Sequence, residues 1–195
     1  MNILFLGDIV GKSGCIAVEK YLPTKIRENK NKGKIHIKFN KIYSLLKKKI
    51  NLKKKIIGGY YPVNYEVDDL KILKKLAKKK VKISLPVIKK NFRMDFIQCS
   101  LDSAFDINKY GIPEPSGDKV VYPDILLVPL VAFDRKLNRL GYGAGFYDRL
   151  IKSLKKIKNI VTIGLAFDFQ EVYLIPASKH DQKLDYIVTN KKILK

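Results

Sequence analysis

Apolar residues recur along this chain in two rhythms, one helical and one extended, and each rhythm assigns an element to its stretch. Phe39, Ile42, Tyr43, Leu46 and Ile50 fall three or four positions apart, on one face of a helix. Leu70, Leu73, Leu76 and Ala77 repeat the pattern behind Asp68, whose carboxylate suits a helix cap. Residues 55–63 are apolar and β-prone, residues 81–88 read as a strand, and residues 94–100 alternate as its partner. At the front, residues 2–6 read as a strand and 13–22 as a helix disturbed at Pro23, followed by a basic linker over 29–38. The stretch through Gly111-Ile112-Pro113-Glu114-Pro115 is irregular and rich in turn signals.

The clearest unit lies further on. Residues 124–133 form an apolar run long enough for a central strand buried on both faces. A polar, glycine-rich loop leads into a helix with Phe146, Leu150, Ile151 and Leu154 inward, and residues 159–167 make a second buried strand. Strand, loop, helix and strand form a βαβ unit, which requires a parallel sheet and an α/β layered fold. Ligands of such sheets gather at the carboxyl ends of the strands, where the loop from Asp134 to Asp148 lies.

Composition narrows the picture. A chain of 195 residues, 46% hydrophobic, suits a single domain with a real core. No apolar stretch approaches the roughly 18–20 residues of a membrane span. Asp8 interrupts the short apolar start, so no signal peptide is expected. Cys15 and Cys99 form neither a CxxC nor a zinc pattern, and a cytoplasmic, disulfide-free protein is the expectation. Charge is less simple, because 40 Lys+Arg against 18 Asp+Glu leaves a formal +22 that attracts polyanions. Yet arginine occurs only at Arg27, Arg93, Arg135, Arg139 and Arg149, and many lysines fall in short runs at helix ends and linkers. Sequence readers favour arginine forks, and no RNA-binding signature with interleaved aromatics occurs, so nucleic acid is not the expected partner.

Two glycine loops compete for a phosphate role. The first, LGDIVGKSG, nearly matches the P-loop G-x-x-x-x-G-K-[ST], but the pattern needs glycine at position 6, where Leu6 stands. A cradle of consecutive N–H groups does not tolerate that missing residue. The second reads DRKLNRLGYGAGFYDR, with Gly141, Gly143 and Gly145 leading into a helix N-terminus that attracts anions. Arg139 adds a fork suited to phosphate oxygens, and Asp148 on the first turn has the chemistry to hold magnesium beside them.

With those residues in view, AFDRKLNRLGYGAGFYDRLI resembles the signature of the 5-formyltetrahydrofolate cyclo-ligase family. GGYYPVNYEVD, at residues 58–68, resembles its first substrate segment. MDF at 94–96, YGIPEP at 110–115, IGLAFDFQ and LIPASKHDQKLDYIVTN follow in the family order. The resemblance runs from about residue 39 to the C-terminus. It implies a three-layer α/β sandwich around a mostly parallel sheet, of the NagB/RpiA/CoA-transferase type. It also implies use of ATP and magnesium to convert 5-formyltetrahydrofolate to 5,10-methenyltetrahydrofolate. In that reaction the formyl oxygen attacks the γ-phosphate, the folate N10 attacks the activated carbon, and phosphate leaves.

The family's roles carry over by position. Gly141, Tyr142, Gly143, Ala144, Gly145, Phe146 and Tyr147 would wrap the ATP phosphates with Arg139 beside them. Arg139 and Asp148 would act in catalysis, and Asp148 and Asp181 would hold magnesium. Glu66 would meet the folate, with Tyr65, Met94 and Phe146 offering apolar or stacking surface. Ala144 stands where the family has glycine or lysine, and Phe146 where tyrosine is common. His180 is a candidate acid or base, but an ordinary loop residue is the expected reading.

The front departs from this pattern. MNILFLGDIVGKSGCIAVEKYLP is similar to the start of YmdB-like metallophosphoesterases, in which the aspartate corresponding to Asp8 binds metal. A two-metal site needs several more ligands, and no GNH or GHxH pattern supplies them. One domain with an atypical segment over 1–38 is therefore expected, its junction around residues 22–38. Lys20, Lys25 and Arg27 are candidates for the family's N-terminal ATP-binding cation, with Arg27 preferred. A monomeric enzyme is expected, and a basic nucleic-acid-binding protein on an inactive frame is the competing reading.

Overall fold

A computed structural model of the chain describes residues 24, 39–49, 52–63 and 66–195. The expected strand over 2–6, the helix over 13–22, and Asp8, Lys20, Lys25, Arg27 and Tyr65 lie outside the described residues. So does the expected junction around 22–38, except for Thr24.

The sheet begins with β1 (Ile56–Gly58), shorter than the apolar stretch 55–63 from which it comes, and β2 (Lys82–Ile88) lies parallel beside it. β3 (Met94–Gln98) turns back antiparallel with Ile88 opposite Met94, and β6 (Val120–Val121) pairs antiparallel with β3 at that edge. On the other side of β1 run β7 (Ile125–Val128), β10 (Val161–Ala166) and β11 (Tyr186–Thr189), all parallel, and β12 (Ile193–Leu194) closes that edge antiparallel. The order β12-β11-β10-β7-β1-β2-β3-β6 is a mixed, mostly parallel sheet, as the βαβ pattern requires. Between β3 and β6 a small hairpin, β4 (Phe105–Ile107) with β5 (Pro113–Pro115), orders the stretch expected to be irregular.

Helices cover both faces. α1 (Phe39–Lys49) and α2 (Leu70–Ala77) contribute Ile42, Leu46, Leu73 and Leu76 to one core, against Ile57, Ile83, Ile125, Leu127 and Ile163. α3 (Phe146–Ile157) presents Leu150, Ile151 and Leu154 to the other, against Phe96, Leu126, Val128 and Ile187. The alternation along β7 divides its four fully buried residues between the two cores. Each such apolar side chain removed from water contributes about 1.5–3 kcal/mol before conformational entropy is counted.

Two expectations need correction. The run 124–133 is not one strand, because β7 stops at Val128 before Pro129, which has no N–H to donate to a ladder. Its end instead forms β8 (Ala132–Phe133), paired antiparallel with β9 (Arg139–Leu140). The inner face of α2 is Ile72, Leu73 and Leu76, whereas Ala77 is exposed. Periodicity located the helix and placed its inner face partly in error. No described helix is long and apolar enough to cross a membrane.

Candidate active site

Two segments meet beyond the carboxyl ends of β1 and β7. The first is the β8–β9 hairpin with the glycine loop. Asp134, fully buried, organises it by accepting the N–H groups of Lys136 and Asn138 through Oδ1, and those of Asn138 Nδ2 and Ile175 through Oδ2. Gln170 donates to the carbonyls of Leu130 and Val131, fixing the chain just after β7. A buried carboxylate with this many donors is well solvated by protein, so the hairpin carrying Arg139 is rigidly seated.

Arg139 is the unusual result of that seating. Its side chain is only 6% exposed. Nη2 stands 3.0 Å from Asp148 Oδ1 as an ion pair, but no N–H is aligned with the oxygen, and Nε and Nη2 have no hydrogen-bond partner. Its guanidinium also lies 5.8 Å from the centre of the Tyr147 ring, within cation–π range. Each unsatisfied buried donor costs about 1–3 kcal/mol. Such donors are completed by a water or by a ligand.

The loop between Arg139 and α3 needs its glycines. Gly143 and Gly145 have φ of 90° and 63°, the left-handed region that side chains resist, and Gly145 caps α3. Tyr142 before them and Ala144 between them are exposed. Asp148 sits in the first turn of α3, where its Oδ1 also accepts the Gln182 N–H at 2.9 Å. That bond brings the 178–182 loop beside the hairpin. In that loop Asp181 Oδ2 accepts the Ser178 N–H at 2.6 Å, and His180 is exposed with its N–H on Ser178 Oγ. Gln182, next to Asp181, thus meets Asp148, while the two carboxylates accept from different N–H groups. Among the described residues no three His, Cys, Asp or Glu side chains group to hold a metal ion.

The second segment runs from the end of β1 to α2. Gly59 lies so close to α2 that a Cβ would stand 2.3 Å from Leu73 Cδ1 and 2.6 Å from Asp69 Oδ2. The Tyr60 N–H donates to Asp69 Oδ2 at 3.0 Å, and its hydroxyl donates to the Val67 carbonyl at 2.7 Å, so residues 60–63 and 66–69 are held together as an arc. Within it Glu66 Oε2 accepts the Val63 N–H at 2.9 Å. Burial pushes the Glu66 carboxyl up to about 7, against the pull of that bond. Asp69 is fully buried, with Oδ1 unpartnered, and burial raises it well above the carboxylate range despite the Tyr60 N–H. Asp68, the expected cap, accepts the Leu70 N–H, but the N-cap position itself falls on Asp69.

Tyr147 joins the two segments. Burial raises its hydroxyl well above 10, Glu66 and Asp69 raise it further, and Arg139 opposes them. The sequence-predicted residues Glu66, Arg139, Tyr147 and Asp148 therefore share one electrostatic neighbourhood. Phe146 is half-buried on the same helix, and Met94 is buried in the core beneath α3. Asp69, Tyr60 and Arg149 were not singled out from the sequence. The doublet Asp68-Asp69 at a helix start was the one available signal. A separate cavity of about 800 Å³, lined by Lys74, Lys78, Lys82 and Cys99 among others, opens at the amino end of β2 and contains none of these groups.

The model of the 5-formyltetrahydrofolate cyclo-ligase family matches residues 17–190, starting well before the expected residue 39 and taking in most of the segment expected to be atypical. The 5-formyltetrahydrofolate cyclo-ligase of Haemophilus influenzae is 34% identical over 138 residues, spanning 67% of this chain and 73% of that protein. Its counterpart from Escherichia coli is 33% identical over 135 residues, spanning 66% and 74%. Among solved structures, the NMR structure of Aquifex aeolicus 5,10-methenyltetrahydrofolate synthetase aligns with a TM-score of 0.73 at 26% identity, covering 93% of this chain and 92% of that one.

Proposed function

The chain belongs to the 5-formyltetrahydrofolate cyclo-ligase family, and on that premise we propose that it converts 5-formyltetrahydrofolate to 5,10-methenyltetrahydrofolate with cleavage of ATP. The family implies ATP use; magnesium and the individual residue roles are our assignment. The observation that carries the reading is buried Arg139, whose Nε has no partner and whose Nη2 meets only Asp148, beside a glycine loop that opens a helix.

Those donors fit phosphate oxygens, as do the loop N–H groups and the positive end of α3. Arg139 holds the transferring phosphoryl group in line with the formyl oxygen, and Asp148 keeps the guanidinium from swinging out. Asp148 would hold magnesium by a carboxylate oxygen, a hard ligand suited to the ion, which needs only one or two carboxylates beside the nucleotide's own oxygens. When bound, it draws negative charge from those phosphates. Asp181 is the second carboxylate that would support it from the 178–182 loop.

The folate lies against the other segment. The formyl oxygen becomes a phosphate ester and leaves as phosphate once N10 has attacked the carbon. N10 gives up its proton in that closure, and Glu66, poised at about 7, is the group to take it. Phe146, packed against the core that holds Met94, supplies a flat surface for the rings, and Tyr65 would add to it.

Incubation of the full chain with ATP, magnesium and 5-formyltetrahydrofolate is expected to produce the absorbance of the methenyl product. Asp148→Ala should lower that rate about a hundredfold, the scale for losing one preorganised electrostatic partner. Full activity in that variant would remove Asp148 from the mechanism. No methenyl product from the folded wild-type chain would overturn the function.

A further inference from the structure

The turn joining β2 to β3 is built against its own sequence. The Arg93 N–H reaches the Lys90 carbonyl at 3.3 Å, and the central residues Asn91 and Phe92 have φ of 56° and 54°. A turn with both central residues left-handed favours glycine at the second place. Here that place holds a phenylalanine, which resists the conformation and is 60% exposed, so burial does not hold it there.

What holds it comes from a distant part of the chain. Arg149 of α3 points Nε and Nη2 at the Phe92 carbonyl, each at 3.3 Å, and Nη2 also donates to the Ala144 carbonyl at 2.6 Å. Its guanidinium lies 5.7 Å from the Phe92 ring and 5.6 Å from the Phe146 ring, and the two rings stand 5.9 Å apart. The glycine loop makes room for it, since a Cβ on Gly145 would come within 2.9 Å of Arg149 Nη1. One planar fork thus grips a strained turn and the glycine loop at once. A lysine, with one point charge, does not reproduce that geometry.

We infer that Arg149 is a positioning residue that clasps the β2–β3 turn to the glycine loop, so that the wall leading to Met94 and the phosphate loop keep one relative position. The inference rests on reading residues 141–145 as the phosphate loop. Strain at Phe92 is then maintained because it fixes the turn over the loop, as strained residues at functional sites are maintained by their surroundings.

Hydrogen exchange on the full-length, unliganded chain tests the clasp without reference to turnover. Arg149→Met is expected to speed exchange about tenfold or more at amides of both 89–94 and 141–146, leaving β7 and β10 unchanged. Arg149→Lys should restore at most one of the two segments. If only 141–146 responds in Arg149→Met, the clasp is overturned and Arg149 merely caps its own loop. In the turnover assay, Arg149→Met should raise KM about threefold or more for ATP and for the folate together, the loss of shared positioning. A rise for ATP alone would make Arg149 a simple phosphate-binding cation and would also overturn the clasp. Absence of turnover in the wild type would defeat the cyclo-ligase reading while leaving the exchange result to decide the clasp.

Discussion

Arg139 and Glu66 lie within electrostatic reach of the same Tyr147 hydroxyl, yet withdrawal from water acts on them in opposite ways. An arginine cannot release its proton, so the hairpin side of the site carries a permanent cation, balanced by Asp148 and short of hydrogen-bond partners. A carboxyl can gain a proton, so on the β1–α2 side burial leaves Glu66 divided between two charge states near neutrality. One side is a fixed charge suited to holding phosphate, and the other is a titratable group suited to moving a proton. The difference teaches that desolvation makes a receptor from one residue type and an acid–base group from the other.

The fixed side should break hardest. Arg139→Met removes the fork but leaves the Gln182 N–H on Asp148, so the hairpin should still fold. Steady-state kinetics are expected to show kcat/KM for ATP lower by a factor of about 10²–10³, the scale for losing one preorganised donor.

On the titratable side, Glu66→Gln should lower kcat about a hundredfold and abolish the rise of wild-type kcat with pH through about 7, since a base must be ionised to act. Stability carries the opposite sign. The folded protein holds the Glu66 proton more tightly than the unfolded chain does, so stability is greatest below about 4.5 and falls as pH rises toward about 7. Thermal melts across that window should be flatter in Glu66→Gln than in the wild type. A variant as steep as the wild type would assign the slope to Asp69 instead.

The smallest effect sharpens the comparison from outside the chemistry. Gly59→Ala drives a methyl into Leu73 and the Asp69 carboxylate. Denaturant unfolding should show a loss of about 1–3 kcal/mol, typical of overpacking a core. Because the same atoms seat the arc that carries Glu66, the folate KM should rise while the ATP KM stays within about twofold.

The fixed side was also the legible one. Glycines at 141, 143 and 145, an arginine before them and a strand–loop–helix context are local signals, and the α3 face of Leu150, Ile151 and Leu154 followed from spacing alone. The titratable side was legible only in part. Asp68 and Asp69 are the same residue type side by side, and tertiary packing alone decides that Asp69, at the N-cap position, turns inward while Asp68 accepts the Leu70 N–H. The break at Pro129 was hidden inside an apolar run whose composition read as one strand. The hold of Arg149 on Phe92 spans 57 positions, beyond any local pattern. The pairing of Arg139 with Asp148 joins a strand to the helix after it, and spacing alone does not orient side chains on different elements.

Equilibrium titration of two variants with each substrate tests the division of labour directly. A nonhydrolysable ATP analogue and 5-formyltetrahydrofolate are added separately to Arg139→Met and Glu66→Gln. The account predicts that Arg139→Met binds the nucleotide about a hundredfold more weakly, a loss of about 2.7 kcal/mol, with folate affinity within about threefold of wild type. Glu66→Gln should leave nucleotide affinity unchanged and weaken only the folate. Wild-type nucleotide binding by Arg139→Met, or the same ligand lost by both variants, would contradict it.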